Sequence, residues 1–251
     1  MKIIKSHWKF IIFVLICAVI GGIFTGIYTI NSYDEAIVNE LLKQIKSKEL
    51  FVLITTIQVI LYAIFSLIFG LILSEKIKLW KQFEFKRVAI ITVLIIIIVG
   101  GLLLSFGDYY IFGALNEKIK ESYNLKPTIE YIISSFTYGG VIEEIVLRLF
   151  FMSLISLILY KIFYRKKEEI PTHIHIISNI ISALAFAILH IPATIQMFGG
   201  LTFLLFARCL IMNGIFGISF GFLYRKYGIG YAILGHFGCH LISKIIWILF
   251  I

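Results

Sequence analysis

The chain has 251 residues, of which 60% are hydrophobic and only 15% charged, with a mean hydropathy of +1.00. That composition excludes an ordinary soluble domain and fits a chain lying mostly in lipid, where about 20 apolar residues cross roughly 30 Å of hydrocarbon. The net charge of +9 does not point to nucleic acid, because the basic residues sit in short loops between apolar spans, the pattern of topology signals.

Lys2, Lys5 and Lys9 precede a first apolar stretch at about residues 10–30. It is longer than a secretory h-region and no small-x-small cleavage site follows, so it reads as a retained helix. Further spans are expected at about 51–73, 88–106, 131–160, 174–191, 201–224 and 229–251, the fifth ending at Pro192, where a helix is expected to stop or bend. The fold class is therefore an all-α, polytopic bundle of about seven transmembrane helices in a single integral membrane domain. Residues 1–110 supply scaffold spans and residues 120–245 a catalytic core. Alternate loops differ in charge. The N-terminal tail and loops 74–88, 161–173 and 225–228 hold fourteen Lys/Arg against four Glu, whereas loops 31–50, 107–130 and 192–200 hold six Lys and eight Asp/Glu. The positive-inside rule puts the N-terminus in the cytoplasm. Cys17, Cys209 and Cys239 lie in apolar spans at no metal or disulfide spacing.

The fourth span contains Glu143, Glu144 and Arg148. Charges at mid-membrane each cost roughly 2.5–3.5 kcal/mol on translocon scales, so they face a bundle interior and mark function more often than not. Adjacent helical residues point about 100° apart, so the two carboxylates cannot serve one partner. Glu144 and Arg148, four apart, form the economical ion pair. That leaves Glu143 free to face a cavity, where an unpaired carboxyl suits proton transfer. A structural charge network locking helices together is the plainer alternative. His236 and His240 share a helix face at the spacing by which two imidazoles reach one metal, and His190 closes the fifth span. Singly, each reads as a packing residue; together with a free carboxylate they read as one site. His7, His173 and His175 read as solvated residues, and Lys244, near the chain end, as a snorkelling lysine. Arg208 has no evident partner, its options being a lipid headgroup, a carbonyl or Glu143.

Three imidazoles and a carboxylate permit two hydrolytic mechanisms. In one, His190, His236 and His240 ligate a divalent metal, zinc being the commonest, which activates a water. In the other, metal-free form, Glu143 is the general base, assisted by one histidine, and the other imidazoles stabilise an oxyanion.

These residues also fall in an ordered set of motifs: Glu143-Glu144-Ile145-Val146-Leu147-Arg148, Phe186-Ala187-Ile188-Leu189-His190, and His236-Phe237-Gly238-Cys239-His240. The set, with the stretch Gly221 to Gly228 before the third motif, resembles the CAAX-protease and bacteriocin-processing (Abi) family of intramembrane endopeptidases over about 120–245. The family includes the type II CAAX prenyl endopeptidases. The resemblance implies water activation by Glu143 and His190, with His236 and His240 holding the oxyanion or a metal and Glu144 and Arg148 organising the site. It also implies a membrane-associated peptide or protein substrate in a lipid bilayer and, for bacterial members, links to bacteriocin processing and immunity. His240 stands where eukaryotic members typically have Asn, which favours metal binding here. The Ile- and Lys-rich composition fits a bacterial cytoplasmic membrane. The rival readings are a transporter using the same charges as an ion path and a non-catalytic bacteriocin-immunity protein.

Overall fold

The structure is a computed structural model describing residues 6–251; Lys2 and Lys5 lie outside the described residues. Among the described residues ten helices follow one another: α1 (Trp8–Ser32), α2 (Glu35–Ile45), α3 (Lys48–Lys76), α4 (Arg87–Leu115), α5 (Glu117–Glu121), α6 (Ile129–Phe163), α7 (Thr172–Leu189), α8 (Ile191–Phe198), α9 (Phe203–Tyr227) and α10 (Ile229–Phe250). Seven crossings are long and apolar enough to span a membrane, α7 and α8 forming one broken span. The expected all-helical, seven-span architecture is the observed one. In hydrocarbon every backbone N–H and C=O must be satisfied within its own segment, and helices achieve this.

Polar residues at the span edges fix where the helices begin. The hydroxyls of Ser47, Thr128 and Thr202 accept from the backbone N–H groups of Leu50, Tyr131 and Leu205, covering donors that the first turn leaves open. Between α9 and α10 the chain turns at Gly228, whose φ of 101° is left-handed space that suits glycine. Lys81 reaches this corner from the α3–α4 loop and donates to the carbonyls of Arg225 and Lys226, 2.8 Å from each. Burial, then the charges of Arg225 and Lys86, hold its pKa below the usual lysine range.

α6 is the central helix. It packs on α1, α3, α7, α9 and α10, and Ile142, Ile145, Leu149 and Met152 along it are wholly buried. By contrast α4 exposes Ile91, Leu94, Ile95 and Ile98, the aliphatic face a lipid-exposed helix carries. Close helix approach in membranes depends on small residues. At the α1–α3 crossing, a Cβ on Gly22 would lie 2.7 Å from Thr56 Cα.

The sequence places His190 near the far end of its span but His236 only seven residues into its own, a mismatch in depth. Unequal helices resolve it. α6 is 35 residues long and α10 only 22, so α6 extends well beyond its partner at one end. Of the two outcomes expected at Pro192, the fifth span bends rather than stops. It breaks at His190, and Pro192 occupies the first turn of a short continuation, α8, where proline's missing N–H is harmless. α6 itself carries wide i→i+5 hydrogen bonding over residues 135–143 and 145–152, a geometry frequent at functional sites.

Candidate active site

The charged residues of α6 divide into a sealed group and a cavity wall. Glu144 and Arg148 are both completely buried. Arg148 Nε lies 3.3 Å from Glu144 Oε2, close enough for an ion pair although not aligned as a hydrogen bond. The guanidinium also donates through Nη2 to the Gly217 carbonyl at 3.3 Å and sits over the Phe186 ring, 4.6 Å from its centroid. The other Glu144 oxygen, Oε1, is 2.9 Å from His236 Nδ1. With Nδ1 as the donor to this Arg148-paired carboxylate, Nε2 is left with a lone pair. The His236 ring is clamped between Phe220, at 4.4 Å, and His240, at 4.9 Å. Glu144, Arg148 and His236 are therefore joined in one network behind the site.

Glu143, His190 and His240 line a cavity of about 550 Å³, within the range of ligand sites, roughly 300–1,000 Å³. His190 Nδ1 lies 2.8 Å from the Phe186 carbonyl. A carbonyl only accepts, so Nδ1 donates and the lone pair is on Nε2, which faces Glu143 Oε1 at 3.9 Å. Phe186 thus acts in three ways. Its carbonyl sets the His190 tautomer, its ring covers Arg148, and its edge packs against His190 at 4.5 Å. Two glycines let α6 approach the histidine helix. A Cβ on Gly139 would lie 3.1 Å from His240 Nε2, and one on Gly140 3.1 Å from Phe237 Cα.

At the other end of the cavity the structure revises two readings. Arg208 is bound to Asp108: Nε donates to Oδ1 at 2.6 Å, and Nη2 donates to Oδ2. Tyr123 donates its hydroxyl to the same Oδ2 at 2.9 Å. The sequence puts Asp108 in a loop, but α4 runs on to Leu115 and makes it a buried helical residue. Lys244 does not snorkel. It is 5% exposed, lines the cavity, and holds its ammonium 4.0 Å from the Tyr131 ring centroid and 5.7 Å from that of Trp247. His175 is also not solvated; it is buried against Ser156, with Nδ1 3.2 Å from the hydroxyl. His7 contacts Glu75 at 2.7 Å, and His173 contacts Tyr164 at 2.9 Å. Sequence reasoning missed Asp108 and Lys244. A signal existed for the second, since Lys244 continues the four-residue spacing of His236 and His240 along one face of α10.

The imidazole tautomers are those of metal ligands whose second nitrogen is held by a carbonyl or carboxylate. The spacing is not. Among the described residues no three His, Cys, Asp or Glu side chains are grouped to hold an ion, and His236 and His240 lie stacked, 27° from parallel.

Seven apolar crossings around a cavity lined by acid and imidazole define a multi-pass membrane protein with the side chains of a hydrolase. Residues 125–242 match the family model of Rce1-like type II CAAX prenyl endopeptidases, a match over just under half of the chain and consistent with the CAAX-protease resemblance. Searches of curated proteins and of solved structures returned no match. The match supports a CAAX-type endopeptidase activity in the membrane. All six candidate residues, from Glu143 to His240, fall within the matched stretch. Asp108 and Lys244 lie outside it.

Proposed function

We propose that the protein hydrolyses a peptide bond of a membrane-associated peptide or protein, with Glu143 and His190 activating the water. The observation that carries this reading is the pair of acceptors, Glu143 Oε1 and His190 Nε2, 3.9 Å apart on the cavity wall. A water between them gives one hydrogen bond to each and turns a lone pair toward the cavity. On attack at the amide carbonyl, Glu143 takes the water's proton and passes it to the leaving amine, the ordinary course of general base and then general acid catalysis. His240, exposed to the cavity, is placed to donate to the oxyanion. His236 has a different role. With its proton committed to Glu144 it orients the wall from behind, as do Glu144 and Arg148. The end of the bundle that carries the basic loops faces the cytoplasm on this reading, which the loop charges support.

The test uses purified protein in lipid and a fluorogenic peptide bearing a prenylated C-terminal Cys-aliphatic-aliphatic-X sequence. Glu143→Gln is expected to lower kcat about 10²- to 10⁴-fold while the protein remains in the membrane at normal abundance. Cleavage at the wild-type rate by both Glu143→Gln and His190→Ala would sink the proposal. Measuring bound metal and assaying with a chelator tests the metal-free form. Activity in a verified metal-free state is expected, whereas loss on chelation and return with zinc would move His190, His236 and His240 into a metal's ligand set.

A further inference from the structure

The cavity holds one acid and one base that the fold leaves without an ionic partner. Glu144 is balanced by Arg148, and Asp108 by Arg208. Glu143 has only the His190 imidazole near it, and Lys244 has no hydrogen bond or ion pair among the described residues. Its ammonium instead faces the Tyr131 and Trp247 rings, and Trp247 is itself pinned by donating Nε1–H to the Tyr123 carbonyl at 3.2 Å. Aromatic faces attract a cation, but they do not replace the hydrogen-bond acceptors an ammonium has in water. A side chain that is 5% exposed, aimed into the cavity that Glu143 lines, and lacking an anion is built to receive one.

We infer that Lys244 binds the terminal carboxylate of the substrate peptide and so fixes how far from the peptide's end the scissile bond lies. This rests on the peptidase reading above and names the substrate feature that the same cavity selects. The spacing along α10 carries the geometry. Lys244 follows His240, the α10 imidazole that lines the cavity, by four residues, about 6 Å along the axis at 1.5 Å per residue. Extended peptide advances about 3.3 Å per residue, so a carboxylate held at Lys244 leaves about two residues between it and the carbonyl at His240. A lipid phosphate is the other source of the same charge. Lys244 is 5% exposed and its ammonium faces the Tyr131 and Trp247 rings, so a headgroup would have to leave the bilayer surface and enter the cavity to reach it. A peptide end already in the cavity does not.

The test compares one fluorogenic prenylated peptide as the free acid and as the C-terminal amide, in wild type, Lys244→Met and Lys244→Arg. In wild type the free acid is expected to be cleaved about 10- to 100-fold better by kcat/KM, the range for hydrogen bonds to a charged group. In Lys244→Met the two peptides are expected to be cleaved alike, and Lys244→Arg should restore part of the preference. Equal cleavage of acid and amide by wild type overturns the inference and leaves the protease standing, and this holds even if no Lys244 variant folds. A preference for the acid that survives in Lys244→Met overturns it too. An equal loss for both peptides that appears only in anionic-lipid vesicles assigns Lys244 to a headgroup instead. If wild type cleaves neither peptide, the protease reading fails on its own. Equilibrium binding of the same two peptides to wild type and Lys244→Met then decides the carboxylate site, and equal affinities overturn it.

Discussion

Two arginine–carboxylate pairs lie near the site, one sealed behind the cavity wall and one lining the cavity, and they are built differently. Glu144–Arg148 lies within one helix, four residues apart, wholly buried, with Arg148 Nη1 left without a hydrogen bond. Asp108–Arg208 joins two helices a hundred residues apart in sequence, makes two hydrogen bonds, takes a third from Tyr123 and leaves Arg208 partly open to the cavity. Burying an ion pair whose hydrogen bonds are incomplete is a poor source of stability. On the proposed reading the first pair serves to orient His236 and the helix that carries Glu143. The second pair has satisfied bonds and links α4 to α9, which fits a structural closure of the cavity's far end.

The contrast between the pairs predicts its largest effect at Arg148. Arg148→Met leaves the Glu144 carboxylate in a sealed site beside no cation, and breaking a buried pair in this way costs about 3–5 kcal/mol. Membrane abundance and the detergent melting temperature should both fall. Glu144→Gln with Arg148→Met, which removes both charges, should recover much of that loss in stability and none in activity. If the double variant regains cleavage, the pair is only structural and the contrast with Asp108–Arg208 disappears.

A smaller loss is expected at the second pair. Asp108→Asn keeps the volume and one acceptor and leaves Arg208 with access to the cavity, so about 1–3 kcal/mol is at stake. The expected readout is a lowered melting temperature with the cleavage rate at saturating peptide little changed. A drop in kcat as large as that of Arg148→Met would make Asp108 part of the chemistry. Comparable in size is Gly140→Ala. The added methyl would meet Phe237 backbone atoms at 3.1–3.3 Å, and overpacking typically costs about 1–3 kcal/mol. Because it pushes α6 off α10, it should lower both the melting temperature and kcat.

The same contrast explains what could be read from sequence. Glu144–Arg148 is local, so helical spacing alone finds it, and hydropathy alone finds the seven crossings. Asp108–Arg208 is not local. It escaped because the apolar signal of α4 fades near Phe106 while the helix continues to Leu115, and a hydropathy reading ends a span where apolarity ends. The depth mismatch between His190 and His236 had the same origin, since length in lipid does not reveal that α6 outruns α10 by thirteen residues. The division of the histidines was also beyond the sequence. The spacing of His236 and His240 puts both on one face, but only the packed structure shows Glu144 claiming the first and leaving the second to the cavity. Lys244 was misjudged because its place near the chain end suggested water, whereas Tyr131 and Trp247 enclose it.

The smallest predicted effect concerns the Asp108 cluster. Tyr123, in the segment between α5 and α6, is buried and donates to a carboxylate. Burial first, and then the Asp108 charge, push its pKa well above the usual tyrosine value, against a smaller opposing pull from Arg208. In the unfolded chain the phenol loses its proton near pH 10, while in the folded protein it keeps it. Above that pH the folded state binds more protons than the unfolded one, so stability contributed by Tyr123 is full below pH 10 and declines as pH rises further. Tyr123→Phe should cost about 1 kcal/mol at neutral pH, the worth of one hydrogen bond. It should also flatten the alkaline decline in melting temperature between about pH 10 and 11. An identical alkaline decline in both proteins would show that the Tyr123 proton is not what the Asp108–Arg208 pair depends on.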